Sequence, residues 1–321
     1  MSDPGPEIQL SGKPGRVTLR IVQMHPGQLS VRILTVRTLV AEQFPQWRHL
    51  RVHAVQSPGT VNAIFRVGDQ MVARFSLEPD DVATTRERLQ LEAAAAEELF
   101  NRSPFPTPRP IAIGEPGVGY PLPWSIFTWL PGDTATADNC RESATFAIDL
   151  GRFISAVRAI DTRQRAYDGK GRGGDLLSHD EWMQECLTRS EGLLDVATFR
   201  AIWTEMCSIP RGDNPDLMNH GDLIPPNILT AGGHIIGVLD VGGLRAADPA
   251  LDLVSAWHLL DTRRRHLLRD YLGCDDAEWQ RGRAWAFEQA MGAVWYYVET
   301  NPTMSMGCRR TLERIVTDMR A

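Results

Sequence analysis

MNHGDLIPPNILTAGGHIIGVLDVGGLRAADPALD, residues 218–252, decides how this chain is read. Asp222 follows His220-Gly221, and Asn227 lies five positions further on, behind Pro225 and Pro226. Each proline fixes its own φ and stiffens the turn. A hairpin then leads into an apolar run, residues 235–239, that ends in Asp240, and Val241-Gly242-Gly243 turns the chain away. A carboxylate at a strand end beside a flexible turn can reach a metal ion. Mg²⁺ takes oxygen ligands, usually one or two carboxylates together with substrate phosphates. Asn227 and Asp240 can supply such ligands, which leaves Asp222 free to orient a hydroxyl nucleophile. Taken singly, an Asp in a turn is a cap or an Asx-turn. The combination points to chemistry.

Composition bounds what surrounds this stretch. The chain has 321 residues, more than one small core needs, so two lobes are expected. Hydrophobic residues make up 43 % and charged residues 23 %, as in an ordinary soluble globular protein. The net charge is −6 and the pI about 5.8. A dedicated nucleic-acid binder would be basic, so no nucleic-acid partner is expected. Five scattered cysteines without a CxxC pair read as incidental thiols in a reducing compartment. No apolar run approaches the roughly 18 residues of a membrane span. No apolar secretion segment opens the chain, and a cytoplasmic protein without a membrane partner is expected.

Working outward, residues 1–23 are rich in Gly, Pro and polar residues and read as a poorly ordered extension. A structured pattern begins just after Met24, a second possible start. Ile33, Val36, Leu39, Val40 and Phe44 lie at helical spacing and predict an amphipathic helix of about 15 residues, closed by Pro45. From Val52 the period changes to that of three short strands. Their turns are Ser57-Pro58-Gly59-Thr60 and Gly68-Asp69, and the third strand carries Val72-Ala73-Arg74-Phe75. A Gly-containing hairpin lets backbone N–H groups approach phosphates. Residues 84–100 form a helix rich in Ala, Leu and Glu. Residues 111–113 and 124–129 are two further strands, and Leu130-Pro131-Gly132 marks the boundary between lobes. Residues 24–130 are the N-terminal lobe and 131–321 a mostly helical C-terminal lobe. Helices are predicted over 144–160, 180–194, 197–207, 249–260, 275–297 and 304–320, with a Gly-rich loop at 167–175.

HGDLIPPNIL and GVLDVGG resemble the catalytic loop and metal-binding segment of the aminoglycoside phosphotransferase family, and ADPALDLVSAW resembles the segment that follows. The likeness extends to the VARF strand, the helix carrying Glu92 and the GYPLPWSIFTWLPG stretch, and so runs from about Met24 onward. It implies an α+β, protein-kinase-like two-lobe fold: an antiparallel N-lobe sheet with a helix, and a mostly helical C-lobe. It also implies Asp222 as catalytic base, Asn227 and Asp240 as Mg²⁺ ligands, and His220 and Asp252 as supports of the loop. Asp248 is expected to cap the helix that starts at Pro249. Arg74 stands where kinases usually carry a phosphate-binding Lys, and the resemblance pairs it with Glu92. The residues alone leave Glu87, Glu97 and Glu98 as rivals. Many relatives read HGDLHPGN and IDFG, where this chain has Ile224, Pro226 and Leu239-Asp240-Val241-Gly242.

The expected reaction is phosphoryl transfer from ATP or GTP to a hydroxyl of a small molecule, by positioning and charge neutralisation. Ser57, Gly59, Thr60 and Arg74 would hold phosphates, and the base would lie near Phe127 and Trp129. Asp275, Glu278 and Glu288, beside Trp285, Trp295, Tyr296 and Tyr297, would suit a polycationic amino sugar. An aminoglycoside or related antibiotic is therefore the expected acceptor, with a macrolide, a choline-like compound or a sugar as alternatives. A nucleotide-binding pseudoenzyme is the reading outside catalysis. A monomer or a homodimer is compatible with the sequence.

Overall fold

A computed structural model describes residues 27–55, 61–212 and 214–320. The extension at 1–23 and the turn carrying Ser57, Gly59 and Thr60 lie outside the described residues.

The first helix, α1 (Ile33–Gln43), is shorter than its apolar spacing suggests, because Pro45 opens a 3₁₀ turn directly behind it. Val36, Leu39 and Val40 are its buried face. Five antiparallel strands follow: β1 (Val52–Val55), β2 (Asn62–Val67), β3 (Met71–Ser76), β4 (Pro110–Gly114) and β5 (Trp124–Thr128). Their order is β1-β2-β3-β5-β4, so the strand carrying Arg74 is central. β2 alternates half-buried and buried residues, while β3 is buried on nearly every residue. Phe75 stacks on Trp124 with centroids 4.8 Å apart, and Tyr120 meets Phe75 edge-on. These rings fill one core of the sheet lobe. α2 (Val82–Phe100) crosses between β3 and β4, capped by Asp81, whose side chain accepts from Thr84 N.

Beyond residue 130 helices dominate. β6 (Asp133–Thr134) and the short α3 (Ala137–Cys140) lead to α4 (Ala144–Arg158). α4 buries Phe146, Leu150, Phe153, Ile154 and Val157 on one face. Each such side chain gains about 1.5–3 kcal/mol on burial. α5 (Asp180–Arg189) stops before residue 194, and α6 (Val196–Met206) follows a tight turn. β7 (Leu217–Asn219) leads into the loop at 220–227. β8 (Ile228–Ala231) and β9 (His234–Val238) form the expected hairpin, and β8 also pairs with β6. β10 (Arg245–Ala247) returns antiparallel to β7.

Pro249 opens a 3₁₀ turn to Leu253 rather than an α-helix, and α7 (Val254–Leu259) completes the segment. Asp248 caps it as expected, accepting from Ala250 N at 3.1 Å. Its other oxygen receives the buried Arg281 guanidinium and the Trp285 indole. α8 (Thr262–Leu272), α9 (Asp276–Tyr296) and α10 (Pro302–Arg320) finish the lobe. The α+β two-lobe expectation matches this architecture. Among the described residues no helix is long and apolar enough to cross a membrane.

Candidate active site

The loop at 220–227 is built around two buried anchors. His220 has no exposed surface. Its Nε2–H donates to Leu239 O at 2.9 Å, and its Nδ1 accepts from Asp222 N at 3.3 Å. Those partners fix the tautomer, since one ring nitrogen must accept and the other donate. Asp252, 1 % exposed, accepts from His220 N at 2.7 Å and Gly221 N at 3.0 Å, one with each oxygen. Burial raises the Asp252 carboxyl above its usual range, opposed by His220 and the two backbone donors. Gly221 has φ +86, and a Cβ there would meet Gly243 O at 3.0 Å. Glycine is thus required by both backbone geometry and space. His220 and Asp252 thus hydrogen-bond the loop from its buried side.

From this platform Asp222 points out, half-buried. Its carboxylate is crowded: Oδ1 accepts from Arg172 Nη2 and Gln289 Nε2, each at 2.9 Å, and Oδ2 from Asn227 Nδ2 at 3.2 Å. Asn227 Nδ2 also donates to Asp222 O at 2.9 Å. The Asn227 amide nitrogen is therefore spent inside the loop, and its oxygen accepts no hydrogen bond among the described residues. Leu239 N donates to Asn227 O at 2.7 Å, which brings Asn227 beside the strand end that carries Asp240. Asp240 has φ 53, a left-handed conformation that costs most residues energy but suits Asp better than most. Its carboxylate stays half exposed.

The two oxygen-bearing groups fit a hard cation: one carboxylate and one amide oxygen, with room for phosphate oxygens and water. Among the described residues no group of three or more His, Cys, Asp and Glu can hold a metal by itself. An ion here would depend on a phosphate-bearing ligand.

Arg74 corrects one expectation. Its Nη2 donates to Asp240 Oδ1 at 3.0 Å, and it makes no ion pair with Glu92. Burial raises the Glu92 carboxyl, with Arg74 lowering it and Asp240 raising it further. The guanidinium pairs instead with Asp240, whose side chain is about half exposed. Glu92 lines a cleft with Arg74, Arg88 and Asp240, whereas Glu97 pairs with Arg109 and Glu98 with Arg165. The stem of Glu92 lies against Gly242, where a Cβ would come within 2.9 Å of it.

The connection at 127–130 is less open than expected. Phe127 is 3 % exposed, with the Arg74 guanidinium 5.5 Å above its ring. Thr128 N donates to Arg109 O and Trp129 N to Gln70 O, so those two N–H groups are spent within the lobe. Trp129 is half-buried and faces Arg66 at 5.3 Å.

The three acidic residues expected to greet a polycation are engaged elsewhere. Asp275 caps α9, accepting from Glu278 N at 2.7 Å. Glu278 pairs with Arg158 at 2.6 Å. Glu288, 5 % exposed, pairs with His179 at 3.1 Å and raises that imidazole above its ordinary value. Along α9, Asp275 and Glu278 lie about 21 and 16 Å from Gln289, the helix residue that touches Asp222. The helix rise removes them from the site.

Arg172, Gln289 and Arg88 were not foreseen. Arg172 has one signal, a lone arginine inside GKGRGGD, where flanking glycines let the backbone come close. Arg88 stands four residues before Glu92 on the same helix face. Gln289 has no local signal.

A model of the phosphotransferase enzyme family matches residues 54–285. The chain belongs to that family. No curated protein matches it by sequence. Among solved structures, the GDP and kanamycin complex of APH(2")-IIIa superposes with a TM-score of 0.68 at 17 % identity, covering 89 % of this chain and 99 % of that one. The gentamicin complex of APH(2")-IIa gives 0.59 at 14 %, covering 89 % and 97 %. The macrolide 2'-phosphotransferase MphH of Brachybacterium faecium gives 0.56 at 16 %, covering 85 % and 97 %. At these identities the likeness establishes the shared kinase-like fold. With the family match, this phosphotransferase is a kinase of hydroxyl acceptors.

Proposed function

We propose that this phosphotransferase moves the γ-phosphoryl group of ATP or GTP to an alcohol hydroxyl of a small, antibiotic-like molecule. The observation that carries the reading is the pairing of Asp222 with Asn227, beside the strand end that bears Asp240. That arrangement sets a carboxylate for the acceptor next to two oxygen ligands for a cation.

Asn227 Oδ1 and the Asp240 carboxylate would hold Mg²⁺, which when bound offsets the charge of the phosphate oxygens. Arg74 and Arg88 line the same cleft and hold phosphates by charge-assisted hydrogen bonds. Arg88 Nε has no protein partner among the described residues. Asp222 accepts the proton of the acceptor hydroxyl as its oxygen bonds to the γ-phosphorus. The bond from that phosphorus to the β–γ bridging oxygen breaks, and the nucleoside diphosphate leaves. His220 and Asp252 keep the loop from yielding as charge shifts.

On the acceptor, one observation favours the macrolide-like alternative over a polycation. Arg172 stands on Asp222, Arg245 lies next to Gly221, and the three candidate acidic residues are already paired or capping. An acceptor with at most one positive charge meets less repulsion there than a polycationic aminoglycoside does.

The test is transfer from labelled ATP and GTP to aminoglycosides, macrolides, sugars and choline, by wild type and Asp222→Asn. Transfer by wild type with a loss of at least 100-fold in the variant, at unchanged nucleotide affinity, is the expected result. Equal rates in the two proteins would overturn the assignment of Asp222. Tight Mg-nucleotide binding without transfer to any acceptor would favour a pseudoenzyme.

A further inference from the structure

Behind Asp222 lies a chain of polar side chains that the mechanism above does not use. Gln289 on α9 donates from Nε2 to Asp222 Oδ1 at 2.9 Å. Gln289 Oε1 lies 3.1 Å from His258 Nε2 on α7, and His258 Nδ1 lies 3.0 Å from Thr311 Oγ1 on α10. His258 is 8 % exposed and Thr311 wholly buried. Burial pushes the imidazole down to about 4, so the ring is neutral near pH 7.

The direction of every bond follows from the carboxylate. An ionised carboxylate only accepts, so Gln289 must turn its NH₂ towards Asp222. Its carbonyl oxygen then faces His258 and must receive a proton donor. A neutral imidazole carries one N–H, which must sit on Nε2. Nδ1 is then bare and needs a donor, and the Thr311 hydroxyl supplies it. Thr311 also lies 3.1 Å from Gly307 O, but donation there would leave Nδ1 unsatisfied. Reversing Gln289 would turn its oxygen towards the oxygen of Asp222, and reversing His258 or Thr311 would set one lone pair against another.

We infer that Thr311, His258 and Gln289 form a one-way hydrogen-bond relay that holds Asp222 in the orientation needed to take the acceptor proton. Gln289 is a positioning residue, and His258 and Thr311 position it in turn. No proton travels along the relay, because each member keeps its own hydrogen. The inference rests on the reading of Asp222 as the base. It gives the last helices of the lobe a part in turnover beyond packing.

The test compares Thr311→Val, which keeps the branched shape and removes the donor, with Thr311→Ser, which keeps the hydroxyl. Thr311→Val is expected to lower kcat about fivefold, the usual weight of one such bond. The acceptor KM should stay within about twofold, and Thr311→Ser should restore most of the rate. Gln289→Met should lower kcat at least as far as Thr311→Val. In the full-length wild type, ¹⁵N NMR of the His258 ring should report the Nε2–H tautomer, with a mixture in Thr311→Val. Equal kcat in wild type and Thr311→Val, a failure of serine to rescue, or an Nδ1–H ring in wild type would each overturn the relay. Unchanged turnover in Asp222→Asn defeats the base assignment instead, and the ring tautomer still tests the relay in that event.

Discussion

Arg172 reaches out of a glycine-rich loop to set Nη2 2.9 Å from Oδ1 of Asp222, fifty residues away in sequence. The loop itself is tied down. Arg245 donates to Arg172 O at 3.0 Å, Asp248 N to Gly173 O at 2.9 Å, and Arg281 to Gly174 O at 2.8 Å. The guanidinium therefore stays beside the carboxylate and contributes a positive charge next to Asp222.

Replacing Arg172 with Ala should thus change acceptor preference. Side chains exposed by 23 % and 37 % leave the pair partly screened, so an effect of about 1 kcal/mol is expected. KM for a cationic acceptor should fall several-fold relative to that for a neutral one. Steady-state kinetics on one acceptor of each kind measures the ratio. A ratio that does not move would remove Arg172 from the account of specificity.

Asp240 allows charge and backbone to be separated. Asp240→Asn keeps a residue that tolerates φ 53 but removes the carboxylate charge. The variant should unfold within about 1 kcal/mol of wild type while its Mg-dependent nucleotide affinity drops at least tenfold. Asp240→Val should add a stability loss of about 1–3 kcal/mol, because a β-branched residue fits that region poorly. Urea unfolding and nucleotide titration with and without Mg²⁺ give the two readings. Full Mg-dependent affinity in Asp240→Asn would count against a metal role.

Asp252 offers a test of the platform. Asp252→Ala leaves His220 N and Gly221 N buried without an acceptor, at a cost of about 1–3 kcal/mol each. Asp252→Asn has a single acceptor oxygen and should lose about half as much. Chemical denaturation orders the three proteins; equal stabilities would mean that water or a neighbouring group replaces the carboxylate.

His258 predicts a stability that falls towards acid. Its folded value is about 4 because burial disfavours the cation, with Arg314 and Arg172 adding to the effect and Gln289 and Asp222 opposing it. The unfolded imidazole binds a proton near pH 6.5 and the folded one does not. The neutral ring's contribution is thus fully present above about pH 6.5 and lost as pH falls to about 4. The loss is on the order of 3 kcal/mol. His258→Gln should flatten that part of the profile in urea unfolding from pH 7 to 4. An unchanged slope would contradict the burial argument.

The legible part of the site is the part whose spacing is local. His220, Asp222, Asn227 and Asp240 belong to one turn-and-hairpin unit, and the turn chemistry announces itself in sequence. Asp252 and Glu92 are more distant, and the family resemblance supplied them. Arg172 and Gln289 meet Asp222 across 50 and 67 residues, and no periodicity encodes contacts of that range. Asp275 and Glu278 were misplaced for the converse reason: neighbours in sequence, they are carried away from Gln289 by the rise of one helix. The pairing of Arg74 escaped because sequence does not show which of two carboxylates lies within reach of its guanidinium once the strand and the turn at Asp240 are folded. Strands and amphipathic helices with strong periodicity were found within a few residues. α8, with three arginines in its first turns and few apolar positions, and the three-residue strands β7 and β10 were missed.

α9 runs unbroken from its cap at Asp275 to beyond Gln289. Adding or deleting one residue in that interval would turn Gln289 by about 100° and move it about 1.5 Å along the axis. The helix thus behaves as a ruler of fixed length. Its exposed positions are free to drift, but its residue count from the cap to Gln289 is not, and length variation in descendants of this chain should collect in the loops and spare this interval.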